Sequence, residues 1–211
     1  MNEMTRFQTP YDGYDVLAKW DTPSWDDQTR GVIRRRLTEV PARRFFSVIE
    51  WQTLEAACAR LIPQPERSTP IPIVPWIDDK LHRNGRDGFR YSDMPPLRDA
   101  WRLGLEGIDQ EGRRRFGADF RTLPNGDQDA VLRAIQAGDV SGGIWDRLPA
   151  KRFFTMILLK EVVGEYYAHP EAWSEVGFGG PASPRGYVRL GANQRDSWEA
   201  QERDDAEEPR A

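Results

Sequence analysis

Cysteine and histidine are nearly absent from this chain, with one Cys and two His in 211 residues. A single cysteine, Cys58, excludes an intramolecular disulfide framework. It lies in the amphipathic run Leu54-Glu55-Ala56-Ala57-Cys58-Ala59-Arg60-Leu61, where a thiol reads as a small buried hydrophobe rather than a nucleophile. The two histidines, His82 and His169, stand far apart and far from Cys58, so no metal-ligand spacing exists. His82 falls near a helix C-terminus, where a cation is favoured; His169 reads as a turn residue before Pro170. No window approaches the ~20 apolar residues that span a bilayer. Charge of one sign is also scarce: 30 basic and 34 acidic residues are interspersed, which leaves no nucleic-acid footprint. No segment alternates as a strand for more than a few residues, and no internal repeat is visible.

Recognisable catalytic patterns are missing as well. There is no phosphate-cradling Gly-x-x-x-x-Gly-Lys, no dinucleotide Gly-x-Gly-x-x-Gly after a strand, and no Gly-x-Ser-x-Gly elbow. Gly177-Phe178-Gly179-Gly180 lacks the helix N-terminus that binds phosphate, because Pro181 and Pro184 follow it. Ser183 sits in Pro-Ala-Ser-Pro with no base beside it to activate its hydroxyl. Asp78 and Asp79 are adjacent, so on a helix they diverge by about 100°; they read as a solvated face, not a catalytic pair. Taken alone, the chain does not read as an enzyme.

Aromatic residues are what it does have: eight Trp, nine Phe and six Tyr, enough rigid apolar area to build a core despite 30% charged residues. The patterning is helical throughout. Ser24 or Asp26 caps a helix over 27–37, acidic early and basic late as the helix dipole prefers. Ser47-Val48-Ile49-Glu50 is a capping box opening a helix to about 62, with Trp51, Leu54, Ala57, Cys58 and Leu61 on one face. Proline dominates 63–75, read as an extended linker, and a short helix follows over 76–81. The next helix spans about 95–116 although Gly104, Gly107 and Gly112 each weaken it by ~1 kcal/mol relative to Ala. Close packing against a neighbouring helix is the expected compensation. A helix over 128–137 ends at Gly138, Gly142-Gly143 forms a joint, and a long apolar helix starts at Pro149 or Ala150.

The predicted fold is all-α: a single compact helical domain over 45–190 with long ordered loops. An extended N-terminal arm with a short helix occupies 1–44, and a disordered acidic C-terminal tail occupies 191–211. The arm is too apolar to float, with Tyr11, Tyr14, Val16, Leu17, Trp20 and Trp25; it lies on the body or on a partner. After the long helix, Tyr166, Tyr167, Trp173, Phe178 and Tyr187 alternate with Gly164, Gly177, Gly179, Gly180 and Gly186. Rings of this kind either fold back on the chain's own helices or form a partner surface, since Tyr and Trp dominate interface hot spots. The candidate partner-contact residues are Tyr166, Tyr167, Trp173, Phe178 and Tyr187, with Trp20 and Trp25 of the arm. The rival reading is a stand-alone helical ligand-binding protein or enzyme that uses this glycine-rich loop as a pocket.

Four blocks carry a family resemblance. They are Phe45-Phe46-Ser47-Val48-Ile49-Glu50-Trp51-Gln52-Thr53-Leu54 with Ala56 to Pro63; Trp76-Ile77-Asp78-Asp79-Lys80-Leu81; Phe120-Arg121-Thr122-Leu123 with Gln128, Val131 and Leu132; and Phe153-Phe154 with Gly164-Glu165-Tyr166-Tyr167-Ala168-His169-Pro170, Trp173, Gly177 and Gly180. In this order, over roughly 45–190, they resemble the gluconate 2-dehydrogenase subunit 3 family. The resemblance implies a small non-catalytic subunit whose partner is an FAD-dependent glucose–methanol–choline (GMC) type dehydrogenase large subunit, often with a cytochrome c subunit that takes the electrons. FAD would belong to the partner, with no cofactor and no catalytic residue on this chain. The small subunit helps the large one mature, stay soluble and reach its compartment. Arg34-Arg35-Arg36 superficially matches the twin-arginine signal of many family members, but Thr38, Glu39 and Pro41 follow where a hydrophobic segment is required. The expectation is a chain without an export signal of its own, cytoplasmic or co-exported to the periplasm by a signal-bearing partner.

Overall fold

A computed structural model describes residues 9–11, 13–85, 88, 91–182 and 199–202. Seven α-helices follow in order: α1 Asp27–Thr38, α2 Val48–Leu61, α3 Ile73–His82, α4 Leu97–Phe116, α5 Asn125–Ala137, α6 Ala150–Phe153 and α7 Lys160–Ala168. Short 3-10 turns cover Val16–Lys19, Phe120–Thr122, Gly143–Asp146 and Pro170–Val176, and the described residues contain no strand. The all-α expectation therefore holds. The chain divides into two compact units, one of Val40–Pro65 and Pro72–Tyr166, the other of the described residues of Met1–Glu39, Glu66–Ile71 and Tyr167–Ala211. The predicted acidic tail lies almost wholly outside the described residues.

The larger unit is held together by its caps, one carboxylate and a chain of rings. The Ser47 hydroxyl accepts from Glu50 N at 3.2 Å while the Glu50 carboxylate accepts from Ser47 N at 2.7 Å, so the capping box forms as its residues dictate. Just before it, Asp78 of α3 accepts backbone N–H bonds from Arg44 (2.7 Å), Phe45 (3.0 Å) and Phe46 (2.8 Å). Asp78 and Asp79 are both buried, against the solvated face expected from their adjacency. The reason is that each carboxylate finds donors: Asp78 takes orphan backbone amides, and Asp79 pairs with the guanidinium groups of Arg44 and Arg83. A buried carboxylate with several charge-assisted bonds is tolerated where a bare one is not.

Those amides place Phe45 and Phe46 at the head of a run of ring contacts. Phe45–Phe46, Phe46–Trp101 and Trp101–Phe153 meet edge to face at 5.0, 6.0 and 6.2 Å between centroids, and Phe153–Trp145 follows at 6.2 Å. Helix α4 accommodates them through its glycines. A Cβ on Gly104 would lie 2.0 Å from the Phe153 ring, and one on Gly107 would lie 2.6 Å from the Trp145 ring. The expected compensation for these glycines is thus present, but aromatic rings fill the notches more than a helix backbone does. Gly112 differs, since a Cβ there would meet the backbone of Ala118 and Phe120. Asp109 of α4 completes this side by accepting from Thr53 Oγ1 of α2 and from Phe120 N, both at 3.0 Å.

Three boundaries differ from the predicted ones. Helix α3 begins at Ile73 with Pro75 in its first turn, where no intrahelical N–H is required. Helix α5 begins at Asn125, because the Pro124 carbonyl already accepts from Gln128 N at 3.0 Å. The long helix after Pro149 is not uniform: Phe154–Leu159 is a π-helical turn between α6 and α7. Buried residues here recur every fourth position, as Phe153, Ile157 and Glu161 and as Phe154, Leu158 and Val162. Four residues overshoot one α-helical turn by about 40°, so a wider turn is needed to keep both rows facing the core.

Gly104→Ala should lower stability by about 2 kcal/mol, overpacking against Phe153 outweighing the gain in helix propensity. Gly164→Ala in α7, where an added Cβ meets nothing within 4 Å, should raise it by up to about 1 kcal/mol. Denaturant midpoints compared between the two variants and the parent protein check both signs. Asp78→Ala should cost about 3 kcal/mol or more, because two buried amides and one part-buried amide lose an acceptor, at ~1–3 kcal/mol for each buried one. Cys58 is buried and desolvation pushes its thiol far up, so it should resist a thiol-reactive chromogen at pH 8 in the native protein and react on denaturation.

A candidate docking surface

The smaller unit joins sequence-remote pieces around one tryptophan. Val16, Trp25, Ile33 and Trp173 form its buried cluster, with Tyr14, Leu17, Trp20 and Leu37 packed against them. The N-terminal arm thus lies on the chain's own C-terminal segment. Asp26 caps α1 by accepting from Thr29 N at 2.7 Å, and Ile33 of that helix is fully buried. Polar bonds then fix the register. Val16 N donates to Ser174 Oγ at 3.1 Å, Thr9 Oγ1 donates to the Glu175 carbonyl at 2.9 Å, and Lys19 Nζ donates to the Gly179 carbonyl at 3.0 Å.

The turn that carries Trp173 is tightly built. Pro170 opens the 3-10 helix Pro170–Val176, and Gly177 ends it in the left-handed region at φ +65°. Phe178 N donates back to the Trp173 carbonyl at 2.9 Å, and Trp173 Nε1 donates to the Tyr167 carbonyl at 3.0 Å. Glycine is needed at Gly177 and Gly180 for contact as well as for φ. A Cβ at Gly177 would lie 2.6 Å from the Tyr11 ring, and one at Gly180 would lie 2.9 Å from the Trp25 ring. Arg67 braces the same turn, donating to the Glu171 carbonyl at 3.3 Å and pairing with the Glu175 carboxylate.

The candidate contact residues separate into two groups. Trp25 (1% exposed), Tyr166 (3%) and Trp173 (6%) are buried within this chain, so they act as core rings. Trp20 is half-buried, edge-on to Trp25 at 6.2 Å and covered by the Arg34 guanidinium. Tyr167 (37%) and Phe178 (42%) are exposed, and Phe178 rests edge-on against Trp173 at 5.4 Å between centroids. Tyr187 lies outside the described residues. Sequence reasoning passed over Val176, which is 45% exposed at the end of the 3-10 helix. Tyr167, Val176 and Phe178 are thus exposed apolar residues at or beside the turn, with Phe178 packed on the Trp173 ring.

A pocket of about 570 Å³ exists in the larger unit, lined by Asn84, Tyr91, Met94, Leu97, Met156 and Ile157 among others, and no ring of the aromatic loop lines it. Among the described residues no group of three or more His, Cys, Asp or Glu is gathered as metal ligands would be, and no helix is long and apolar enough to cross a membrane.

The sequence profile of the family described as gluconate 2-dehydrogenase subunit 3 matches residues 49–180, from the first turn of α2 through the last glycine of the aromatic turn. The chain belongs to the gluconate 2-dehydrogenase subunit 3 family. Its members are subunits of a dehydrogenase complex. No curated protein and no solved structure matches the chain.

Trp173→Ala should cost about 3–5 kcal/mol of stability, as a large buried ring does. Phe178→Ala should cost only about 1 kcal/mol, the worth of one edge-to-face pair. Thermal melts of both variants check the contrast; equal losses would make Phe178 a core ring too.

Proposed function

We propose that this chain is the non-catalytic small subunit of an FAD-dependent GMC-type dehydrogenase acting on a sugar or alcohol, and that it docks on the flavoprotein through Tyr167, Val176 and Phe178. The observation that carries this reading is an exposed aromatic group built on a rigid, glycine-terminated turn, in a chain whose family consists of dehydrogenase subunits. Preorganised aromatic side chains bury large area with few rotatable bonds, which is the composition of interface hot spots. FAD and the reacting residues belong to the large subunit. The small subunit supports that subunit's maturation, stability or export, and a cytochrome c subunit completes the electron path.

An obligate pair of this kind buries at least the ~1,600 Å² of a standard interface. Co-expression with an FAD-dependent dehydrogenase should give a complex that survives gel filtration. Tyr167→Ala combined with Phe178→Ala should weaken the complex at least tenfold while the melting temperature of the isolated chain moves little. A flavoprotein that is soluble and active alone, and that never retains this chain, contradicts the proposal.

A further inference from the structure

His169 stands at the head of the turn that organises the smaller unit. It is buried, and its Nδ1 has no hydrogen-bond partner among the described residues. Its own carbonyl accepts from Ala172 N at 3.0 Å to start the 3-10 helix. Cations come from two directions: Arg36 of α1 donates to the adjacent Ala168 carbonyl, and Arg67 donates to the Glu171 carbonyl. Glu171, on the turn itself, is the facing carboxylate; it is half-exposed and already engaged with Arg67 at 3.4 Å. A proton on His169 would therefore add positive charge to a buried ring beside two guanidinium groups, of which Arg67 is also paired with the Glu175 carboxylate.

We propose that His169 is an acid-sensitive latch, whose protonation releases the Pro170–Val176 turn from the N-terminal segment. The segment held by that turn spans Thr9 to α1, through the bonds to Ser174 and Glu175 and the packing on Trp173. Burial holds the imidazole below the ordinary histidine range; the Glu171 charge and a hydrogen bond with the Arg36 backbone oppose the effect, and the charges of Arg67 and Arg36 reinforce it. The sign follows from linkage. The folded unit prefers the neutral ring, so its stability is full above the unfolded-state value of about 6.5. It falls as the pH drops below that value, until the folded form is protonated as well. Histidine is the side chain whose unperturbed range lies in this window, and the chain has only one other, the exposed His82. Tyr167 and Phe178 flank the same turn, so on the docking reading above the latch also sets whether the docking surface persists in acid. The latch itself is tested on the isolated full chain and stands or falls without any partner.

With two histidines, the imidazole signals of the full-length protein are resolvable by NMR, and substitution of His82 assigns them. His169 should titrate below the range of an exposed imidazole. Amide protection factors of residues 13–38 and 170–180, measured by hydrogen exchange at pH 7.5 and pH 5.0, should fall severalfold in the parent protein and in His82→Gln. They should stay nearly flat in His169→Gln. A His169 midpoint at or above the ordinary histidine value, or an undiminished acid response in His169→Gln, overturns the proposal. If His169→Gln does not fold, the titration of the parent protein decides alone.

Discussion

The Asp78 carboxylate is the constraint from which the larger unit is built. Three consecutive amides, of Arg44, Phe45 and Phe46, would otherwise be left without a helix or a strand to satisfy them, and a buried amide left unpaired is costly. With Asp78 accepting from all three, the chain can enter the core in an irregular conformation directly ahead of the Ser47 cap. That entry sets Phe46 against Trp101, Trp101 against Phe153, and Phe153 into the Gly104 notch of α4. One buried charge thus does for an irregular segment what a β-ladder would do for a strand.

The smaller unit solves the same problem by different means. Its pieces are short and come from three separated parts of the chain, so no single helix supplies a core. Trp173 supplies it instead, with its ring in the Val16–Trp25–Ile33 cluster, its indole N–H on the Tyr167 carbonyl and its own carbonyl under Phe178. Rigidity here has a functional consequence. Exposed rings that are already ordered lose little freedom on binding, and Tyr167 and Phe178 are tied to the buried Trp173.

Much of this was legible in the sequence, and what was not has physical causes. The capping box, the glycine stop at Gly138 and the all-α class followed from local rules, because caps and left-handed glycines are decided within a few residues. The burial of Asp78 was not legible, since its donors lie over thirty residues away and adjacency alone suggested a wet helix face. The π-turn was not legible, since the fourfold spacing of Phe153, Ile157 and Glu161 is also that of an ordinary α-helical face. Among the aromatic candidates, spacing could not separate Trp173, which turns inward, from Phe178, which turns outward. That distinction depends on the Val16, Trp25 and Ile33 side chains that pack on Trp173, all of them remote in sequence.

The central claim is that an exposed aromatic turn, and not a reaction centre, is what this chain contributes to a dehydrogenase complex. Hydrogen exchange on the isolated chain and on its complex with the dehydrogenase partner proposed above tests it most directly. The account predicts new protection concentrated at residues 167–180, with little change along α4 and α5. Protection confined to the larger unit, with residues 167–180 exchanging as in the free chain, would contradict it.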